Sequence, residues 1–127
     1  MKLPEELQFI ENARLPQKTT DARMDGRLVV ITGATSGVGY QAARHLAQGG
    51  ANLVIVCRDA AKAARVQAEL QREYAVSVDV VIADFARLAQ VRQAAETILA
   101  RHPRIDVLVK NAGLHNTHRR VTEDGIE

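Results

Sequence analysis

Cysteine is almost missing from these 127 residues: Cys57 stands alone, which excludes an internal disulfide. None is needed, because a chain of this length can bury a sizeable core without disulfides or a structural metal. A single thiol inside an apolar run reads as a small core residue in a reducing compartment, with a reactive role as the alternative. The cytosol is therefore the expected location. Tryptophan is absent and aromatics make up only 3% of the chain. The formal net charge is +2 and the basic residues are scattered, so a nucleic-acid surface would lack both its stacking platforms and its electrostatic footprint. No uninterrupted apolar run reaches the length of a membrane span, and positions 1–23 hold no long apolar core of the kind a secretory signal carries. What is present is the balance of an ordinary globular domain, 46% hydrophobic and 25% charged.

From Arg27 onward, apolar runs rich in β-branched residues alternate with stretches of helical period, the rhythm of βαβ units around a parallel sheet. Residues 28–32 read as a first strand, continuous in hydrophobicity as a strand buried on both faces is. A helix is predicted over 37–48, with Val38, Ala42 and Leu46 on one face and the pair Gly49-Gly50 as its stop. A second strand spans 52–57, and the helix after it carries Ala63, Val66, Leu70 and Tyr74 at helical spacing. The third strand, 78–83, runs into Asp84. The next helix has Leu88, Val91, Ala95 and Ile98 as its stripe and ends at His102-Pro103, since the residue before proline avoids the α region. A fourth strand, 105–109, leads to Lys110-Asn111-Ala112-Gly113, and positions 114–127 are polar with no clear period. Positions 1–26 form an appendage with a short amphipathic helix around 5–15 and a polar connector from 17; packing against the domain, or partial disorder, is expected of it rather than binding. The domain itself is 27–127.

Thr32-Gly33-Ala34-Thr35-Ser36-Gly37-Val38-Gly39 lies between a buried strand and a helix, the context that turns a glycine spacing into a phosphate site. Gly33 permits the tight turn, Gly37 lets backbone approach a ligand, and Gly39 lets the helix pack closely on the sheet. The helix start, through Val38, offers free amides and about half a positive charge to a pyrophosphate, while Thr35 and Ser36 can add hydroxyl donors. The bland alternative is a glycine turn without a ligand. A P-loop would need Gly-Lys-Ser/Thr, which is absent. The glycines are separated by three residues and then one, and with the threonine before them they resemble the T-G-x-x-x-G-x-G motif of the short-chain dehydrogenase/reductase family. A sugar epimerase relative would more often have glycine at Ser36.

That resemblance covers about 25–127 and implies a Rossmann-type doubly wound parallel sheet, first half only, with strand order 3-2-1-4. An acidic residue about 20 positions past the glycines would hold the ribose of NAD. Here Cys57 occupies the position where NAD-using relatives tend to carry aspartate, and Arg58 follows where NADP-using relatives tend to carry a basic side chain. An arginine fork can hold a 2′-phosphate bidentately, so NADP is favoured over NAD. The alternative leaves Arg58 a solvated surface charge, with Asp59 as the next helix's N-cap in either case. The family further implies that Asp84 and the backbone of Phe85 contact the adenine, and that Asn111, Ala112 and Gly113 lie beside the adenine ribose. Lys110 departs from the family's N-N-A-G, replacing an amide that normally ties the strand to its neighbours.

Cys57-Arg58-Asp59 and Thr122-Glu123-Asp124-Gly125-Ile126-Glu127 look like the retinol dehydrogenase branch, which implies an apolar carbonyl or alcohol substrate. The family's chemistry uses a tyrosine, a lysine four residues later and a serine. Tyr40 and Tyr74 are followed four positions on by Arg44 and Val78, so no catalytic residue is assigned here; the set is expected downstream of Glu127, leaving an inactive piece inclined to self-associate through its fourth strand. His115 and His118 lack a third ligand and read as solvated loop residues, not a metal site. The rival reading is a non-catalytic nucleotide-binding or regulatory module that ends at Glu127. A Rossmann-like methyltransferase would favour an acidic end to strand two and a different glycine spacing.

Overall fold

The computed structural model describes residues 4–16 and 18–127; positions 1–3 and 17 of the expected appendage lie outside the described residues. Four strands, β1 (Leu28–Thr32), β2 (Asn52–Cys57), β3 (Val78–Ile82) and β4 (Val107–Val109), form one parallel sheet in the order β3-β2-β1-β4. The helices are α1 (Gln8–Asn12), α2 (Gly37–Gln48), α3 (Ala60–Tyr74) and α4 (Leu88–Arg101). The expected strand order and helix sequence are therefore what the chain adopts.

Alternation along the strands divides the core into two layers. Val29, Ile31, Leu53 and Ile55 face one side, where Ala43 and Ala47 of α2 and Ala63, Val66 and Leu70 of α3 cover them. Val30, Val54, Val56 and Val81 face the other side, under Ala94 and Ile98 of α4. Both faces are thus covered, which is why β1 and β2 need unbroken hydrophobicity. Ile31, Leu53, Ile55 and Leu70 are fully buried, each contributing about 1.5–3 kcal/mol by leaving water.

Two helix faces differ from their sequence expectation. On α2 the buried residues are Gly39, Ala43 and Ala47, while Ala42 and Leu46 flank them and Val38 is 80% exposed. Small side chains win this face because they let the helix axis come closest to the sheet, and hydrophobicity ranks them below valine and leucine. On α4 the stripe is Ala94 and Ile98, with Val91 half-buried and Leu88 and Ala95 exposed. The helix covers β2 and β3 through its middle and last turns, so its first turn contributes little.

The ends of β3 and β4 also differ: β3 stops at Ile82, and β4 begins at Val107 after Asp106 donates its amide to Leu28 O. In the appendage, Glu5–Leu7 form a 3-10 turn, α1 is five residues long, and neither buries a residue. Contact with the domain comes later, where Met24 packs on the core and donates its amide to Gly49 O at 2.8 Å.

Candidate functional site

The chain leaves β1 through a turn whose backbone is set by glycine. Gly33 and Gly37 have φ of +71° and +58°, the left-handed region that costs other residues about 1 kcal/mol or more. A Cβ on Gly33 would lie 2.9 Å from Ala112 Cα, whereas nothing stands within 4 Å of one on Gly37. The space over Gly37 is open. Gly39 is buried, and a Cβ there would collide with the Gly33 carbonyl and the Asn111 side-chain amide. Ser36 is the N-cap residue of α2, yet its side chain makes no capping hydrogen bond and the first turn holds no acidic residue. The first amides of α2 therefore point outward with their partial positive charge unneutralised, Thr35 and Ser36 beside them and Val38 exposed above. By contrast, α3 begins with a carboxylate: Asp59 accepts from Lys62 N at 3.0 Å, and that bond holds the Asp59 carboxyl below its ordinary value.

Parallel register brings the other expected residues to the same edge. Thr32 lies opposite Val56, Cys57 opposite Ile82, and Ile31 opposite Val109. The segments that leave the strand ends, with Gly33, Arg58, Asp84 and Asn111, consequently form one row along the carboxyl edge, where open α/β sheets bind ligands. The glycine turn and the end of β4 are directly tied. Thr32 Oγ1 accepts from the amides of Asn111 at 3.1 Å and Ala112 at 3.0 Å, and Asn111 Nδ2 donates to the carbonyls of Thr32 and Gly33, each at 3.1 Å. Gly113 follows, exposed. Lys110 is exposed too, and the tie expected of its position is made one residue later.

Farther along the row, Arg58 is exposed and, among the described residues, joins no salt bridge. Cys57 beneath it is buried, and burial pushes its thiol up, which suits a core residue rather than a nucleophile. Asp84 Oδ1 accepts from Ala86 N at 3.0 Å and Asp84 N donates to Gln90 Oε1 at 2.8 Å, while the Phe85 ring stays 44% exposed. Thr32 and Gln90 were absent from the sequence expectation. Thr32 carries a sequence signal as the motif's own first residue; Gln90 has none, because its partner is a backbone amide six positions away.

Both tyrosines lie between α2 and α3. The Tyr40 hydroxyl donates to Glu69, which raises the Tyr40 pKa, and Tyr74 accepts from Arg44 at 3.3 Å. An open groove of about 430 Å³ there is lined by Thr35, Tyr40, Arg65, Glu69 and Arg72; it shares only Thr35 with the glycine turn. His115 and His118 are exposed in the tail. Among the described residues no helix is long and apolar enough to cross a membrane.

The family model described as short chain dehydrogenase matches residues 27–126. A candidate daunorubicin C-13 ketoreductase, DnrU of Streptomyces sp. (strain C5), is 44% identical over 109 residues, covering 86% of this chain and 38% of that protein. Human retinol dehydrogenase 13 is 32% identical over 120 residues, 94% of this chain and 35% of that protein. Among solved structures, L-sorbose reductase from Gluconobacter frateurii, complexed with NADPH and L-sorbose, superposes with a TM-score of 0.72 at 28% identity, covering 83% of this chain and 41% of that one. The chain spans well under half the length of these relatives.

Proposed function

This chain belongs to the short-chain dehydrogenase/reductase family, and on that premise we propose that residues 27–127 are its dinucleotide-binding part and prefer NADP(H) to NAD(H). The observation that carries the reading is the start of α2: outward amides, no side-chain cap, no carboxylate in the first turn, and open space over Gly37. That is a site for the pyrophosphate, with Thr35, Ser36 and the backbone of Val38 around it. Arg58 holds the 2′-phosphate, Asp84 and Phe85 N flank the adenine, and Asn111, Ala112 and Gly113 line the adenine ribose. Gly33 and Gly39 keep the turn and the end of β4 in close contact.

When bound, the nicotinamide supplies a hydride to, or takes one from, a carbonyl or alcohol carbon. This chain's residues bind and orient the dinucleotide; they do not move the proton. The 127 residues contain no tyrosine with lysine four positions later, and both tyrosines are engaged between helices. An apolar substrate fits the likeness to human retinol dehydrogenase 13, and a cytosolic setting fits the buried, unpaired Cys57.

Titration calorimetry of Gly37→Val tests the site. The substitution places a β-branched side chain at positive φ over the amides. It should abolish binding of NADP and NAD alike while circular dichroism shows the fold retained. Unchanged affinity for both cofactors in the folded variant would overturn the assignment.

A further inference from the structure

Thr122-Glu123-Asp124-Gly125-Ile126-Glu127 has no place in the binding row described above, yet the structure gives it a defined shape and a docking point. The segment closes on itself. Thr122 N donates to Ile126 O at 2.8 Å, Gly125 N to Thr122 O at 3.0 Å, and Ile126 N to Thr122 Oγ1 at 3.2 Å. The turn presents Asp124, whose Oδ2 accepts from Leu88 N at 2.8 Å, 36 positions away in sequence. Beside it, Glu123 lies 3.8 Å from Arg87.

Leu88 is the first residue of α4, and that helix starts without a cap of its own. Its N-cap position is Arg87, which makes no side-chain capping bond, and its first turn holds no acidic residue. Asp124 therefore does from the tail what Asp59 does locally for α3: it places a carboxylate oxygen on an orphan amide at the positive end of the helix. What lies immediately before α4 gives this cap its significance. The loop 84–87 carries Asp84 and Phe85, and it is fixed from both ends. Asp84 N is held by Gln90 from within the first turn of α4, Asp84 Oδ1 takes Ala86 N, and Arg87 N donates to Asp84 O at 3.1 Å. The Gln90 bond ties this loop directly to the first turn of α4, and Asp124 caps the start of that same turn.

We propose that Asp124 is a positioning residue for the adenine end of the dinucleotide, acting as a cap on α4 supplied from the tail of the same chain that holds the Asp84-Phe85 loop in its binding geometry. The inference rests on the cofactor reading above and adds a coupling to it: adenosine binding and docking of the 122–126 turn favour one another, because both select the same position of the loop. The glycine turn lies off β1, tied to β4 and not to α4, so the pyrophosphate end should not feel the loss.

The test uses two ligands that each probe one end, adenosine 2′,5′-bisphosphate and inorganic pyrophosphate, with NADP as the whole cofactor. Calorimetry on the protein carrying Asp124→Ala should show NADP and the bisphosphate weakened alike by about three- to 30-fold, the range of a lost helix cap, with pyrophosphate unchanged. Asp124→Asn keeps a side-chain oxygen for Leu88 N and should return the bisphosphate to within about threefold of the parent protein. A uniform loss of all three ligands would reduce Asp124 to a general structural residue and overturn the proposal, as would no loss at all. Failure of the parent protein itself to bind NADP would instead remove the cofactor reading, and the coupling with it.

Discussion

Arg58 and Asp59 are neighbours of opposite charge that form no ion pair; the Asp59 carboxylate instead accepts the Lys62 amide at the start of α3. The guanidinium is left exposed at the end of β2, where a second phosphate would find it. A hydrogen bond to a charged group contributes roughly 1.5–3 kcal/mol, so Arg58→Ala should weaken NADP by about ten- to 150-fold and leave NAD nearly unchanged. Parallel titrations with the two cofactors decide the matter; an equal loss would mean that Arg58 acts through folding. Residues with strictly local partners are the readable ones. Asp59 could be assigned from sequence because an N-cap needs only the helix that follows it, and the glycines because spacing and context suffice. Thr32 and Asp124 hold partners 79 and 36 positions away; Thr32 is marked by opening the glycine motif, whereas no local pattern marks the bond of Asp124 before the fold is known.

At the scale of elements, α4 is fastened at both ends by carboxylates from elsewhere in the chain. Its start takes Asp124, and its end is held to β3 by Asp79, which contacts Arg101 at 3.1 Å and His102 Nε2 at 2.9 Å. Partial burial raises the Asp79 pKa, but hydrogen bonds from His102 and Arg101 outweigh it and hold the carboxyl below its ordinary 3.8. A carboxylate lowered in the folded state adds stability that is complete above its unfolded value and is lost as pH falls through the folded one. Urea unfolding midpoints should therefore decline as the pH drops below about 4, and Asp79→Asn should make that decline shallower. Asp25, Asp59 and Asp106 are also held low, so part of the slope remains; an unaltered slope in the variant would refute the role given to Asp79. This fastening was invisible in the sequence, which placed every strand within two residues but misjudged the inner faces of α2 and α4. Periodicity finds a helix and its approximate stripe. Which residues of that stripe touch the sheet depends on how closely the backbones approach, and on α2 that is decided by Gly39, Ala43 and Ala47.

The two edges of the sheet are unequal, and the difference bears on how the whole molecule behaves. β3 carries Asp79, whose Oδ1 takes the Val80 amide at 2.8 Å, so part of its outward hydrogen-bonding row is occupied and a charge sits on the strand. β4 is Val107-Leu108-Val109, bonded to β1 on one side and, among the described residues, to no strand on the other. Leu108 is 59% exposed and Val107 37%. An uncharged apolar edge of this kind recruits another strand. The 127-residue polypeptide should therefore elute from a sizing column as a dimer or larger species at micromolar concentration. A lysine on an edge strand resists pairing, so Leu108→Lys should shift the protein toward monomer while NADP binding, proposed for the loops along the carboxyl edge, is preserved. The same polypeptide should bind the cofactor without turning it over, since it holds no tyrosine–lysine pair at the required spacing and general acid–base groups alone supply about 10²–10⁴ in rate. A parent protein that is monomeric across the concentration range would remove the edge argument, and NADP-dependent carbonyl reduction by material free of host enzyme would show that the proton is handled by residues other than the missing pair.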